Sequence, residues 1–337
     1  RGELASHIIG YTVEDETGDN KGIAGVERVY DQELRGRVVE IRARTNAQGI
    51  FMEPVPDKQL QETYGHTVVL TINEAIQEAT ERALARHVLE HRADAGIAIV
   101  YHVKTGAVLA MASMPTYDLS NLRIASEPAR RNRAISDAIE PGSVMKIFTF
   151  ASLFEQGKAT PDDLIDCGGG SYAIAGRVIK DVHAIGTASI RKIFEQSSNV
   201  GTIKAAQRLT PSRFRRHLAQ FGFGDKTGID LPGETEGVLR PVSRWSGLSM
   251  SSIPMGYELT VSGIQVVAAA GALGNQGIYM QPHIVKEIRD VQGNVIKKFE
   301  PQPLRRVASP ATCRHMLSMM EQVVVSGTGK PAQIPGY

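Results

Sequence analysis

Pro141-Gly142-Ser143-Val144-Met145-Lys146-Ile147-Phe148-Thr149-Phe150-Ala151-Ser152-Leu153-Phe154 reads as a helix start that runs into an almost unbroken apolar helix. Ser143 and Lys146 stand three residues apart, so on a helix they project from nearly the same face and the amine can reach the hydroxyl. A serine hydroxyl is a poor nucleophile until a base takes its proton. A lysine at the foot of so apolar a helix is desolvated, which lowers its pKa and suits it to that task. The helix N-terminus adds free N–H groups and a positive end that favour developing negative charge. Alone the pattern is weak: with 21 Ser and 13 Lys in 337 residues, chance supplies about one match. The second match, Ser189-Ile190-Arg191-Lys192, opens a helix bearing Arg191, Lys192 and Glu195, and reads as a cap beside an exposed lysine.

Outward from this centre, Ser197-Ser198-Asn199 lies 54 residues past Ser143, between two predicted helices. A tight turn there would aim Ser197 and Asn199 into a cleft, although Ser-Asn runs also cap helices; the upstream Ser-x-x-Lys favours the functional reading. Thr67 to Thr71 is a β-branched run, and Asn73 caps a helix to about His91 whose apolar positions are Ala75, Ile76, Ala79, Ala83, Leu84 and Val88. Residues 97–103 and 107–113 read as a hairpin turning at Lys104-Thr105-Gly106, and 284–299 as a second one around Gln292-Gly293-Asn294. Gly168-Gly169-Gly170 opens an irregular β-like stretch, and helices are expected at about 189–196, 200–208, 211–220, 261–273 and 310–325. Residues 1–65, with short apolar pieces such as Val38-Val39-Glu40-Ile41, read as a small extended module.

Composition narrows the function. A formal charge of +2, from 38 basic and 36 acidic residues, argues against a general polyanion binder, so no nucleic-acid partner is expected. With 42% hydrophobic and 22% charged residues the chain is not a disordered one. Its apolar runs are core-sized, and Cys167 and Cys313 have no metal-ligand spacing. His87-Val88-Leu89-Glu90-His91 matches a His-x-x-Glu-His metal pattern, but without a third ligand motif it reads as the polar side of a helix. Gly327-Thr328-Gly329-Lys330 fails as a phosphate loop because Pro331 follows and the earlier Gly is missing. No cofactor is expected.

Arg133 to Thr149, which contains the Ser-x-x-Lys, resembles the active-site segment of class B penicillin-binding proteins, with the division-type peptidoglycan D,D-transpeptidases the nearest likeness. Gly25 to Gly36 resembles that family's N-terminal pedestal, and Gln196–Thr202, Phe221–Glu234, Gly256–Gln265 and Gly327–Tyr337 resemble its transpeptidase domain in the family's order. The resemblance implies an α+β fold, an antiparallel sheet flanked by helices plus a helical subdomain. It divides the chain into a partial pedestal or dimerisation module at 1–65 and a transpeptidase domain at 66–337.

The same resemblance implies that Ser143 is acylated by the penultimate D-Ala of a stem peptide, with Lys146 as base, Ser197 relaying a proton and Asn199 holding the substrate amide. β-Lactams would acylate Ser143 as mimics of D-Ala-D-Ala. The family's third motif, Lys-Thr-Gly, is not expected at Lys104-Thr105-Gly106, a hairpin turn ahead of the serine, nor at Lys226-Thr227-Gly228, in a Gly-rich structural loop. In relatives it follows an Ile-Pro-Gly-Tyr segment, and this sequence stops at Tyr337. The expectation is therefore a piece cut at both ends, inactive or nearly so as it stands. Its catalytic side would face the periplasm from a single-pass inner-membrane anchor ahead of Arg1, beside a separate glycosyltransferase and other division proteins. A D,D-carboxypeptidase or serine β-lactamase, or a non-catalytic scaffold or β-lactam sensor, are the other readings.

Overall fold

A computed structural model describes residues 2–16, 18–36, 48, 64–174 and 176–336. The elements that position the site begin with strand β1 (Thr67–Leu70), helix α1 (Glu74–Glu90) and the hairpin β2 (Gly96–His102) and β3 (Ala107–Met114). Helix α2 (Lys146–Glu155) follows, then the hairpin β4 (Ser171–Ile174) and β5 (Arg177–Lys180). Helices α3 (Ile190–Glu195), α4 (Asn199–Ala206), α5 (Pro211–Gln220) and α6 (Gly263–Gly274) come next. Strands β6 (Val285–Arg289) and β7 (Val295–Lys298) and helix α7 (Pro310–Val325) complete the set. The fold is the mixed helical and antiparallel-sheet architecture expected.

β2 and β3 pair antiparallel with Ile99 opposite Met111, and Thr105-Gly106 closes the turn, Gly106 at φ +81°. β6 pairs with both β7 and β1, Ile288 opposite Val68. Thr71 joins the two sheets, because its hydroxyl donates to the Val108 carbonyl at 2.6 Å. Helix α6 lies close against β2, and its glycines allow this: a Cβ at Gly271 would sit 2.7 Å from the Tyr101 ring. Its Ser262 cap is a complete capping box with Gln265.

The larger apolar cluster is helical. α2 runs through it, with Phe148 edge-on to Phe221 and Phe223 at ring distances of 5.1 and 4.8 Å, and Phe150 against Phe194. A second cluster joins Val108, Met111, Ile284 and Ile288 to Ala5, Ile8, Val26 and Tyr30 of the N-terminal region. There, short helices at Ser6–Ile9, Gly25–Val29 and Asp31–Leu34 surround a two-stranded ribbon. The Val38–Ile41 stretch lies outside the described residues.

On α1 the buried residue is Gln77, not the alanine-rich stripe. Gln77 satisfies itself by taking the Met111 N–H (2.8 Å) and donating to the Met111 carbonyl (2.8 Å). Ala75, Ala79 and Ala83 instead line an open groove with Leu84, His87 and Ala98. An apolar stripe marks a helix, but which side meets the sheet is fixed here by a polar side chain that pairs with strand backbone. Among the described residues no helix is long and apolar enough to cross a membrane.

His217 on α5 ties two elements through the core: its ring meets the Ser152 hydroxyl at 2.8 Å and the Val307 carbonyl at 2.7 Å. Burial holds the imidazole below its ordinary value of 6.5, against opposing pulls from the Val307 carbonyl and Glu155. The unfolded chain therefore binds more protons just below pH 6.5, and stability should fall as pH drops through that window. In urea unfolding between pH 5 and 7, His217→Gln should flatten this slope; His7, also held low by burial, leaves a residual one.

Candidate active site

Ser143 is the second residue of a 3-10 turn, Gly142–Met145, that passes directly into α2. Early positions of such a turn have N–H groups with no partner inside the helix. The turn is clamped from one side by residues 254–261. Ile139 and Val261 exchange backbone hydrogen bonds at 3.0 and 2.9 Å, Gly142 N–H donates to Gly256 O at 3.2 Å, and Thr149 donates to Pro254 O at 3.0 Å. Gly256 is required by closeness: a Cβ on it would lie 2.1 Å from the Gly142 oxygen, and its φ is +90°.

Lys146 is 2% exposed. Its ammonium donates to the Ser197 carbonyl (2.6 Å), the Asn199 Oδ1 (2.8 Å) and the Ser197 Oγ (3.0 Å). The Ser197 hydroxyl in turn donates to Ser143 Oγ at 3.2 Å. The lysine and the first serine are thus joined through the second, not directly as the i, i+3 spacing suggested. Burial pushes the amine down to about 8, with Asp181 pulling the other way.

Ser197 sits at φ +53° where α3 ends. Its N–H bonds Phe194 O (3.0 Å) and the Ser198 N–H bonds Ile193 O (2.9 Å), the paired bonds of a Schellman motif, whose left-handed position is usually glycine. The left-handed turn points both the carbonyl and the hydroxyl of Ser197 at Lys146. Ser198 caps α4 by accepting the Gly201 N–H at 2.9 Å, while Ser197 and Asn199 on either side of it turn toward Lys146. Asp181, just past β5, takes the Ser198 hydroxyl and the Asn199 N–H at 2.6 and 2.5 Å. The residues alone gave no sign of Asp181, because it follows a strand in no motif and is far from the serine in the chain. Gly256 stood only in a segment quoted for resemblance.

The competing patterns fall elsewhere. Ser189 accepts the Lys192 N–H as a helix cap, and Lys192 pairs with Glu195 at 2.7 Å. Glu234 consumes the Thr227 N–H and hydroxyl (2.7 and 2.6 Å) and the Gly228 N–H (3.1 Å), which makes Lys226-Thr227-Gly228 a self-closed loop. His87, Glu90 and His91 are exposed on the end of α1, with ligand atoms within 4.8 Å of one another; this is the cluster of metal-ligand type among the described residues.

Residues 96–337 match the penicillin binding protein transpeptidase domain family. The whole chain is 33% identical to penicillin-binding protein PbpB of Mycolicibacterium smegmatis, of which it covers 52%. It is 32% identical to the peptidoglycan D,D-transpeptidase FtsI of Escherichia coli K12, of which it covers 54%, so it spans about half the length of these relatives. It superposes on crystalline penicillin binding protein 3 of Mycobacterium tuberculosis with a TM-score of 0.82 at 30% identity, covering 100% of this chain and 72% of that one. That protein has also been solved complexed with aztreonam and with ampicillin.

The strain at Ser197 is measurable apart from its hydroxyl. Ser197→Ala and Ser197→Gly both remove the hydroxyl, but only alanine keeps a Cβ in the left-handed region. Glycine should therefore be the more stable of the two by about 1 kcal/mol in urea unfolding, the reverse of the order inside a helix.

Proposed function

The chain belongs to the penicillin-binding protein transpeptidase family, and from that premise we propose that it is the catalytic part of a peptidoglycan D,D-transpeptidase in which Ser143 is the nucleophile. The observation that carries the reading is the hydrogen-bonded line Lys146–Ser197–Ser143 at the foot of a buried helix.

The line also sets the direction of proton flow. As an ammonium, Lys146 spends its three hydrogens on three oxygens. Once neutral it has a lone pair, and of those three partners only the Ser197 hydroxyl has a hydrogen to give. The bonds then reverse: Ser143 donates to Ser197, and Ser197 donates to Lys146. Ser143 Oγ attacks the penultimate D-Ala carbonyl carbon while its proton passes through Ser197 to Lys146. Collapse of the tetrahedral intermediate breaks the peptide bond, and the proton returns from Lys146 through Ser197 to the departing D-Ala amine. A second strand's amine then attacks the ester carbonyl; the ester C–O bond breaks as the amine's proton passes, through the same Ser197–Lys146 line, to Ser143 Oγ, which leaves the cross-linking amide and free Ser143. Asn199 would hydrogen-bond the substrate amide, and the Ser143 N–H would face the developing oxyanion. A β-lactam offers a strained amide to the same oxygen, in keeping with the aztreonam and ampicillin complexes of the tuberculosis protein.

The finer reading extends to place and partners. We assign residues 1–65 to a pedestal module and 66–337 to the transpeptidase domain, a boundary that keeps β1 with its partner β6. The proposed setting is septal wall synthesis on the outer side of the cytoplasmic membrane, through a single-pass anchor and alongside a separate glycosyltransferase. The peptidoglycan D,D-transpeptidase FtsI among the relatives supports the wall-synthesis part of it.

Acylation of the full-length protein by a fluorescent penicillin tests the reading. Lys146 must lose a proton before it accepts one, and with a pKa of about 8 only about a tenth is neutral at pH 7. The acylation rate should therefore climb with pH, with a midpoint near 8. Ser143→Ala should leave no adduct, and Lys146→Ala should slow acylation by about 10²–10⁴-fold. A label that maps to another residue, or a rate flat from pH 6 to 9, would sink the proposal; rapid loss of the adduct would point to a hydrolase instead.

A further inference from the structure

Asp181 is where the lines of the site converge. Its Oδ2 takes the Ser198 hydroxyl at 2.6 Å, and its Oδ1 takes the N–H groups of Asn199 and Val200 at 2.5 and 3.0 Å. One carboxylate thus grips three successive residues of the segment that contacts Lys146. The preceding residue completes the hold. The Lys180 carbonyl accepts the Asn199 Nδ2 at 3.2 Å, so the amide cannot flip without facing nitrogen to a donor, and its Oδ1 stays on Lys146 at 2.8 Å. The buried ammonium itself touches only neutral oxygens, and an uncompensated charge in such a place is strongly disfavoured.

We propose that Asp181 is a positioning residue of the reaction, whose carboxylate both locks the Ser197-to-Asn199 turn against Lys146 and supplies the negative charge that the buried ammonium senses. The inference rests on the reading of Ser143 and Lys146 given above. Asp181 is half-buried. Of the titratable groups near it, the buried Cys167 thiol senses its charge, and that thiol also lies near Asp166 and, from α4, Lys204, whose ammonium is turned to the Asp166 carbonyl at 2.7 Å. Lys180 and His183 flank Asp181 in the chain and are exposed. Among these, Asp181 acts on Lys146 alongside burial, and it opposes burial by favouring the charged form.

Two substitutions separate grip from charge. Asp181→Asn keeps the shape and removes the charge; Ser198→Ala cuts one of the three bonds and keeps the charge. In the full-length protein, with fluorescent penicillin as probe from pH 6 to 10, Asp181→Asn should move the rising limb to lower pH and, on the high-pH plateau where the amine is fully neutral, acylate about tenfold more slowly because a less basic amine is a weaker base. Ser198→Ala should slow acylation while its midpoint stays at the wild-type pH. Both are checked by circular dichroism and urea unfolding, and Ser198→Ala carries the test if Asp181→Asn does not fold. An Asp181→Asn midpoint that stays in place, a Ser198→Ala midpoint that moves, or a wild-type plateau rate in either folded variant overturns the assignment. If the unsubstituted protein is not acylated on Ser143, it is the nucleophile assignment that fails.

Discussion

The site depends on one costly arrangement, a lysine ammonium held inside the protein by three neutral oxygens. Moving the Lys146 pKa from 10.5 to about 8 corresponds to a loss on the order of 3 kcal/mol in the stability of its charged form. On the proposed reading that loss suits the amine to its task, since a base works best with a pKa close to the working pH. It also constrains everything nearby. An ammonium with so little solvent is tolerable only if each hydrogen has a fixed acceptor, so the turn that supplies those acceptors cannot be loose.

The architecture answers that demand in layers. α2 is anchored by Phe148 and Phe150 in the larger apolar cluster, which fixes where its first residue lies. The acceptors come from the joint between α3 and α4, and a joint between two helices is well defined only when both ends are capped. α3 ends in a Schellman motif and α4 begins with Ser198 as cap, so a few residues finish one helix and start the next. On the other side of Ser143, the contact with Gly142 leaves no room for a side chain on Gly256. Ser143 is thus set by backbone contacts and Lys146 by its side-chain bonds.

What was legible in the sequence follows from how local the signal is. The Ser-x-x-Lys at 143–146 and the apolar run behind it announce a helix and a desolvated lysine, because three-residue spacing and hydrophobic runs act within one turn. Ser197 and Asn199 could be named, but not the geometry by which Ser197 stands between Lys146 and Ser143, since a relay depends on the left-handed turn and not on composition. α1 shows the same limit in the fold: its stripe of small apolar residues specified a helix, while the side that packs is decided by Gln77 pairing with Met111 on β3. Asp181 was invisible because a carboxylate that grips a distant turn has no spacing to recognise.

Ser197 ties these observations together. In a helix-ending left-handed position, glycine is the residue that costs least, and a serine there carries of order 1–2 kcal/mol of backbone strain. Glycine, however, would leave the amine of Lys146 with no hydroxyl to take a proton from, because its remaining partners, a carbonyl and an amide oxygen, can only accept. Alanine would keep the strain and lose the same function. A threonine would keep the hydroxyl but add a β-branch in the region where branched residues are least tolerated. Serine is the small side chain that combines a hydroxyl with a tolerable cost in that conformation, and the conformation is what brings its carbonyl and its hydroxyl to the same ammonium. The strain at residue 197 and the depressed basicity of Lys146 therefore meet in one place, a hydrogen-bonded line that joins Ser143 through Ser197 to an amine that solvent barely reaches.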